Sequence, residues 1–237
     1  MLRRRPKPIP QRVSVVVPCT ARHARHLYEL VDALTKQTQV PAELCVAISE
    51  YLGAPPVNVA SLSRGRRLPF AIRIVNERSR AYAGRNRNRA ADVAKGNLLL
   101  YQDADDLPHP QRVEIAAWLF ANYEIDHLLH HYDHLTAPTQ RAHWMNHRFN
   151  VRDAARVTVY QIYGRDGHAH PFTNGNNVTS RALFRTIRWP EHVARGQDVA
   201  YNRAVASTQF APRMARLPWS LVSYRQYLST TRHARAS

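Results

Sequence analysis

Cysteine is almost missing from this sequence: Cys19 and Cys45 are the only two among 237 residues. Two thiols at that spacing exclude a disulfide scaffold and a zinc ribbon. Both fall in apolar runs, so they read as reduced core residues, and a cytoplasmic location is the simplest expectation. No run is long and apolar enough to span a bilayer, and the basic start, Met1 to Arg12, lacks the apolar stretch of a secretory signal. Acidic residues are scarce as well, 17 against 34 lysines and arginines, which leaves a net charge of +17. None follows Asp198, whereas Arg203, Arg213, Arg216, Arg225, Arg232 and Arg235 do. Both ends are therefore positive, and such a field attracts phosphate in nucleotides, nucleic acid or lipid headgroups. Internal repeats, zinc-finger patterns and aromatic–basic RNA signatures are lacking too. A specific nucleic-acid partner is therefore not expected, although charge alone keeps a basic nucleic-acid-binding protein as an alternative.

What is present is an α/β pattern. Residues 1–12 read as a basic mobile arm, and residues 13–237 as one domain with enough apolar residues, 44%, to bury a core. Val13 to Pro18 is a β-branched run stopped by proline, the pattern of a buried strand. Leu27, Leu30, Val31 and Leu34 then mark one face of a helix. Further strands are expected at Leu44–Ile48, Phe70–Val75, Leu98–Tyr101, Asp126–Tyr132 and Val157–Tyr163. Helices are expected at Gly84–Lys95, Pro110–Tyr123, Ser180–Ile187 and Gln197–Ser207. Strands alternating with helices predict a mostly parallel central sheet flanked by helices. Ligands of such sheets bind beyond the C-terminal strand ends. That rule brings Pro18-Cys19-Thr20, Ser49-Glu50 and Asp103 to Asp106 to one crevice.

Asp103, Asp105 and Asp106 concentrate carboxylates in a basic chain. Unpaired, they repel one another, and a divalent cation such as Mn2+ or Mg2+ removes that cost. The D-x-D spacing lets two carboxylates reach the same side of an extended chain. An acidic turn before the next helix is the plainer reading of the same residues.

The order of the segments resembles family two, inverting glycosyltransferases of the GT-A fold. The resemblance rests on the Val-Ser-Val-Val-Val-Pro strand, Ala83-Gly84-Arg85-Asn86 with its helix ending at Lys95-Gly96, and Asn97 to Asp106. It continues through Thr173 to Asn177, Gly196-Gln197-Asp198 and Tyr224-Arg225. It implies a single GT-A-like, Rossmann-like domain. Residues 13–106 form its nucleotide-sugar-binding half and residues 107–237 its acceptor-binding half. It implies a metal-dependent transfer of a sugar from a nucleotide-diphosphate sugar, most often a UDP-sugar, to a hydroxyl of a glycan, lipid-linked or protein acceptor. In that scheme Asp198 is the catalytic base, and Asp103 and Asp105 are the metal residues. Pro18, Thr20, Glu50, Arg85, Asp103, Ala104 and Asp105 bind the donor. Asn176, Trp189 and Gln197 bind the acceptor, and His233 completes the metal's coordination. Two positions depart from the family pattern. Glu50 or Ser49 stands where an Asp-Asp-Gly-type turn is usual, and Gln197, an amide that cannot ionise, replaces the usual Glu before Asp198.

Other readings carry less. His127, His130, His131 and His134 invite a zinc site, but on a strand neighbouring histidines point to opposite faces. His168 and His170 are individually uninformative. Trp118, Trp144 and Trp219 suit core packing as well as sugar stacking. A nucleotidyltransferase would carry a glycine-rich phosphate loop after the first strand, and Pro18 to Arg22 has no glycine. A non-catalytic module of the same fold is opposed by the intact Asp103, Asp105 and Asp198. The basic ends are expected to favour peripheral association with anionic membranes.

Overall fold

The computed structural model describes residues 2–50, 57–135, 141–158 and 176–225. Its centre is an eight-stranded sheet in the order β3-β2-β1-β4-β7-β6-β8-β5. The strands are β1 (Val13–Thr20), β2 (Glu43–Ser49), β3 (Ala71–Asn76), β4 (Leu98–Tyr101), β5 (Leu107–Pro108), β6 (His127–Leu135), β7 (Val178–Ser180) and β8 (Met214–Arg225). β1 pairs in parallel with β2 and β4, and β2 with β3. β7 runs antiparallel between β4 and β6, which restores the direction for the parallel pair β6/β8. The long strands therefore all end on the same side, at Thr20, Ser49, Tyr101, Leu135 and Arg225.

The helices are α1 (Leu27–Thr35), α2 (Val59–Ser63), α3 (Ala83–Val93), α4 (Arg112–Asn122), α5 (Arg141–Asn146), α6 (Ala154–Val157), α7 (Arg181–Thr186) and α8 (Gln197–Ala206). Alternation along β1 assigns them to two layers. Val15 and Val17 pack with Leu27, Leu30, Val31 and Leu34 of α1 and with Val113, Ala116 and Phe120 of α4. Val16 faces the other way, toward Ala90 and Ala91 of α3, Leu183 and Phe184 of α7, and Tyr201 and Val205 of α8. Both faces of β1 are covered, which is why its sequence does not alternate. Truncating a fully buried residue such as Leu30 costs about 2–5 kcal/mol through lost burial and the cavity left behind.

Gly96 joins α3 to β4 because a side chain there would collide with the Arg12 carbonyl and the Ser14 hydroxyl. Beside it, Glu43 is fully buried. It accepts from Ser14 Oγ at 2.7 Å, Arg73 Nε at 2.8 Å and the Lys95 amide at 2.5 Å.

Two expectations change, and one strand is new. The arm is not free: the Arg5 and Ile9 amides donate to the Asn122 and Ala121 carbonyls, at 2.8 and 3.0 Å, and Leu2 is buried. The last carbonyls of α4 lack helical partners, and the arm supplies them. The expected strand Val157–Tyr163 begins as the last residue of α6, and residues 159–163 lie outside the described residues. β8, unforeseen, is interrupted at Pro218, a residue that argues against a central strand.

Candidate functional site

β4 delivers the chain to the sheet's C-terminal edge, and the next five residues, Gln102 to Asp106, form the acidic turn. In front of it lies a cleft of 250 Å3, lined by Pro18, Cys19, Thr20, His23, Ala81, Ala83, Asn86, Arg87, Asp103, Ala104 and Asp105. Asn86 ties two strand ends together, its Nδ2 donating to the Cys19 carbonyl and to Ser49 Oγ, both at 2.9 Å. Ser49 is thereby committed to the wall. Burial, with Asp105 nearby, pushes the Cys19 thiol up to about 12, so it stays protonated and unreactive.

The turn is held from behind. Buried Asn176 accepts from the Asp103 amide at 2.8 Å and donates to Asp106 Oδ2 at 3.0 Å. Arg112, fully buried at the start of α4, donates to Gln102 Oε1, the Tyr101 carbonyl, the Asn176 carbonyl and His130 Nε2. Burial lowers its pKa to about 9, against the pull of Asp103 and Asp106. Burial, then Asp103 and Asp105, raise the Asp106 carboxyl well above its ordinary value. From β8, Arg225 Nε donates to the Asp105 carbonyl while its Nη1 holds Glu29. Asp106 is thus part of the support, and Asp103 and Asp105 are the two carboxylates of the cleft.

Arg87 crosses the floor. Its Nη2 lies 2.7 Å from Asp103 Oδ1 and its Nη1 donates to Gln197 Oε1 at 3.4 Å, with the guanidinium 4.5 Å above the Trp189 ring. Gln197 and Asp198 open α8 after Gly196, whose φ of 70° suits glycine. Burial raises the Asp198 carboxyl above its ordinary value, opposed by backbone amides and by Arg87, while Asp103 adds to the rise. The acidic turn and the start of α8 are therefore electrostatic neighbours across Arg87. Thr20 Oγ1, Asn86 Oδ1 and Arg87 Nε are buried without a hydrogen-bond partner among the described residues. Polar atoms left so at a cleft mark where a ligand would bond.

The structure brings Pro18, Thr20, Asp103, Ala104 and Asp105 together in the cleft and sets Gln197 and Asp198 beside Arg87. It places other residues differently. Arg85 points toward Glu191, 4.0 Å away, and does not line the cleft. Arg87, two positions on, occupies the expected arginine position, since two residues along a helix turn the side chain to another face. Trp189 is 1% exposed and stacks on Tyr201 at 4.2 Å, so it is a core residue closed to sugars. Asn176 is a buried brace and offers no acceptor surface. Glu50 follows Ser49 at the crevice with φ 65°, a strained conformation for a non-glycine residue, and pairs with Arg80 at 3.8 Å. His233 and Thr173 to Gly175 lie outside the described residues.

Among the described residues no three His, Cys, Asp or Glu side chains converge as a metal cage. The zinc reading of the β6 histidines gives way to structural roles. His127 Nε2 meets Asn202 Oδ1 at 2.8 Å, and His130 Nδ1 meets the His131 carbonyl at 2.8 Å. Asp103 and Asp105 suit a different ion. Two carboxylates at the mouth of a cleft suit a hard divalent cation that completes its shell with water or other oxygen ligands.

Residues 14–207 match glycosyl transferase family 2. The chain belongs to that family. A search of curated proteins finds no match. Residues 1–349 of Staphylococcus aureus TarS, in complex with UDP, superpose with a TM-score of 0.67 at 18% identity, covering 90% of this chain and 60% of that one. A mannosyltransferase from Pyrobaculum calidifontis, in complex with GDP-Man and Mn2+, gives 0.61 at 20%, covering 94% and 60%. Glucosyl-3-phosphoglycerate synthase from Mycobacterium tuberculosis, with Mg2+ and UDP, gives 0.60 at 16%, covering 91% and 72%. The fold is the GT-A fold shared with these structures, and the chain spans about 60% of the TarS fragment.

Proposed function

We propose that this family 2 chain is an inverting, metal-dependent glycosyltransferase that moves a sugar from a nucleotide-diphosphate donor, a UDP-sugar, to a hydroxyl of a glycan or lipid-linked acceptor. The observation that carries the reading is the Asp103–Arg87–Gln197 chain of contacts, which ties the acidic turn to the start of α8 where Asp198 sits. Relatives of the same fold bound to UDP or to GDP-Man with Mn2+ support the donor class.

Asp103 and Asp105 would hold Mn2+ or Mg2+, which neutralises charge on the leaving diphosphate when bound. Arg87 holds Asp103 in place and keeps a cation at the cleft floor. Thr20, Asn86 and Glu50 face the nucleoside side. Asp198 takes the proton from the acceptor hydroxyl as its oxygen bonds to the anomeric carbon and the bond to the diphosphate oxygen breaks. Attack opposite the leaving group inverts the centre. The neutral Gln197 adds no second negative charge beside Asp198. The basic ends favour peripheral binding at an anionic, cytoplasmic membrane surface, where lipid-linked acceptors reside.

The test is release of UDP from a panel of UDP-sugars with water or simple glycosides as acceptors, with and without Mn2+. Mn2+-dependent release that Asp105→Ala abolishes is expected. Release unaffected by both metal and mutation would refute the proposal.

A further inference from the structure

Away from the cleft, a second concavity of 300 Å3 is lined by Asp133, Trp144, His147, Phe149, Trp219 and Ser220, with Pro218 at its edge. It originates in a break in the β6/β8 ladder. Pairing runs from His127↔Met214 to His130↔Leu217 and resumes at His131↔Ser220. Pro218, which has no N–H to pair, and Trp219 are thereby pushed out of the ladder. The displaced Trp219 stacks on Phe149, with centroids 4.5 Å apart and planes at 16°. Trp144 closes the floor, its Nε1 donating to the Ser220 carbonyl at 3.1 Å.

Into this aromatic wall β6 places the half-buried Asp133. Its carboxylate makes no hydrogen bond or ion pair among the described residues, in a chain with 34 lysines and arginines against 17 acids. An apolar ligand would desolvate that carboxylate without compensation, and an anion would be repelled. A saccharide satisfies both halves of the concavity: its C–H face lies against aromatic rings and its hydroxyls donate to the carboxylate.

The position also fits. Asp133 pairs with Ser223 and Leu135 with Arg225, so Asp133 and Arg225 lie on one face of the strand pair, two residues and about 7 Å apart along it. Arg225 holds the Asp105 carbonyl. His109, three residues beyond the acidic turn, packs its ring on Trp144 and Phe149 at 5.2 and 5.1 Å.

We infer that this concavity is a carbohydrate subsite, which holds a pyranose ring of a glycan acceptor at a distance from the donor cleft. The inference rests on the proposed transferase reading for its role, while binding itself is measurable without turnover. The experiment titrates the protein with cellobiose, chitobiose, lactose and mannobiose, read by tryptophan emission and saturation-transfer NMR. At least one disaccharide is expected to bind. Asp133→Asn, nearly isosteric, is expected to weaken that binding about tenfold, the scale of one charge-assisted hydrogen bond. Trp219→Ala is expected to abolish it. The melting temperature and the response to UDP with Mn2+ should be unchanged in Asp133→Asn. Binding by none of the four, or equal binding by wild type and Asp133→Asn, overturns the inference. Saccharide binding that follows these variants in a protein with no nucleotide response would support the subsite and refute the donor site instead.

Discussion

At the scale of single residues, the site depends on which charges are buried and which are left a partner. Asp198 carries the sharpest expectation. Its carboxyl is raised by burial, and a base must be unprotonated to accept the acceptor's proton. Turnover should therefore rise with pH through a pKa above the ordinary carboxylate value and fall on acidification through it. Asp198→Asn should lower kcat about 100-fold or more while leaving nucleotide affinity intact. A variant that keeps kcat and its acid limb would remove Asp198 from the role of base. The residue scale is also where sequence and structure diverge most. Arg85 and Arg87 stand in one arginine-rich helix, and only the helix's rotation against Trp189 and Gln197 decides which of them reaches Asp103. Trp189 offers the same difficulty, since a tryptophan's burial depends on partners, here Tyr201, that come from a distant helix.

At the scale of elements, Glu43 fastens β2 to β1, β3 and the end of α3 through Ser14, Arg73 and the Lys95 amide. Burial alone would raise its pKa, but these donors outweigh it and hold the carboxyl below its ordinary value. A depressed folded-state pKa gives stability that is present above the unfolded pKa and lost as pH falls through the folded one. Glu43→Gln should therefore cost about 1–2 kcal/mol near neutral pH, the scale of charge-assisted hydrogen bonds exchanged for neutral ones. The gap between the two proteins should narrow on acidification; a gap independent of pH would show that the charge is not what matters. The parallel strands and the helices between them were legible because their apolar runs and periodic faces are local signals. Val13–Pro18 continues to Thr20, and Leu98–Tyr101 matches its strand. β7 has three residues and β5 two, too short to leave a pattern. β8 hides behind Pro218, which is tolerated only because the ladder bulges there.

Across the whole molecule, the topology places residues from β1, β2, α3, the acidic turn and α8 around one edge of the sheet. The crevice rule anticipated most of that convergence from sequence, because it needs only strand direction. The roles of the supports behind the acidic turn were not legible: Arg112, His130 and Arg225 come from α4, β6 and β8, and only the folded chain brings Arg112 onto His130 and Arg225 onto the Asp105 carbonyl. Net charge gave no guidance to them.

The most direct test of the donor site is the thermal shift produced by UDP and by GDP, each with and without Mn2+, on wild type, Asp105→Ala, Arg87→Met and Arg85→Ala. Stabilisation is expected to require UDP and Mn2+ together, to disappear in Asp105→Ala, to shrink strongly in Arg87→Met and to survive in Arg85→Ala. No metal-dependent shift with either nucleotide, or a shift that Asp105→Ala and Arg87→Met leave intact, would contradict the donor site.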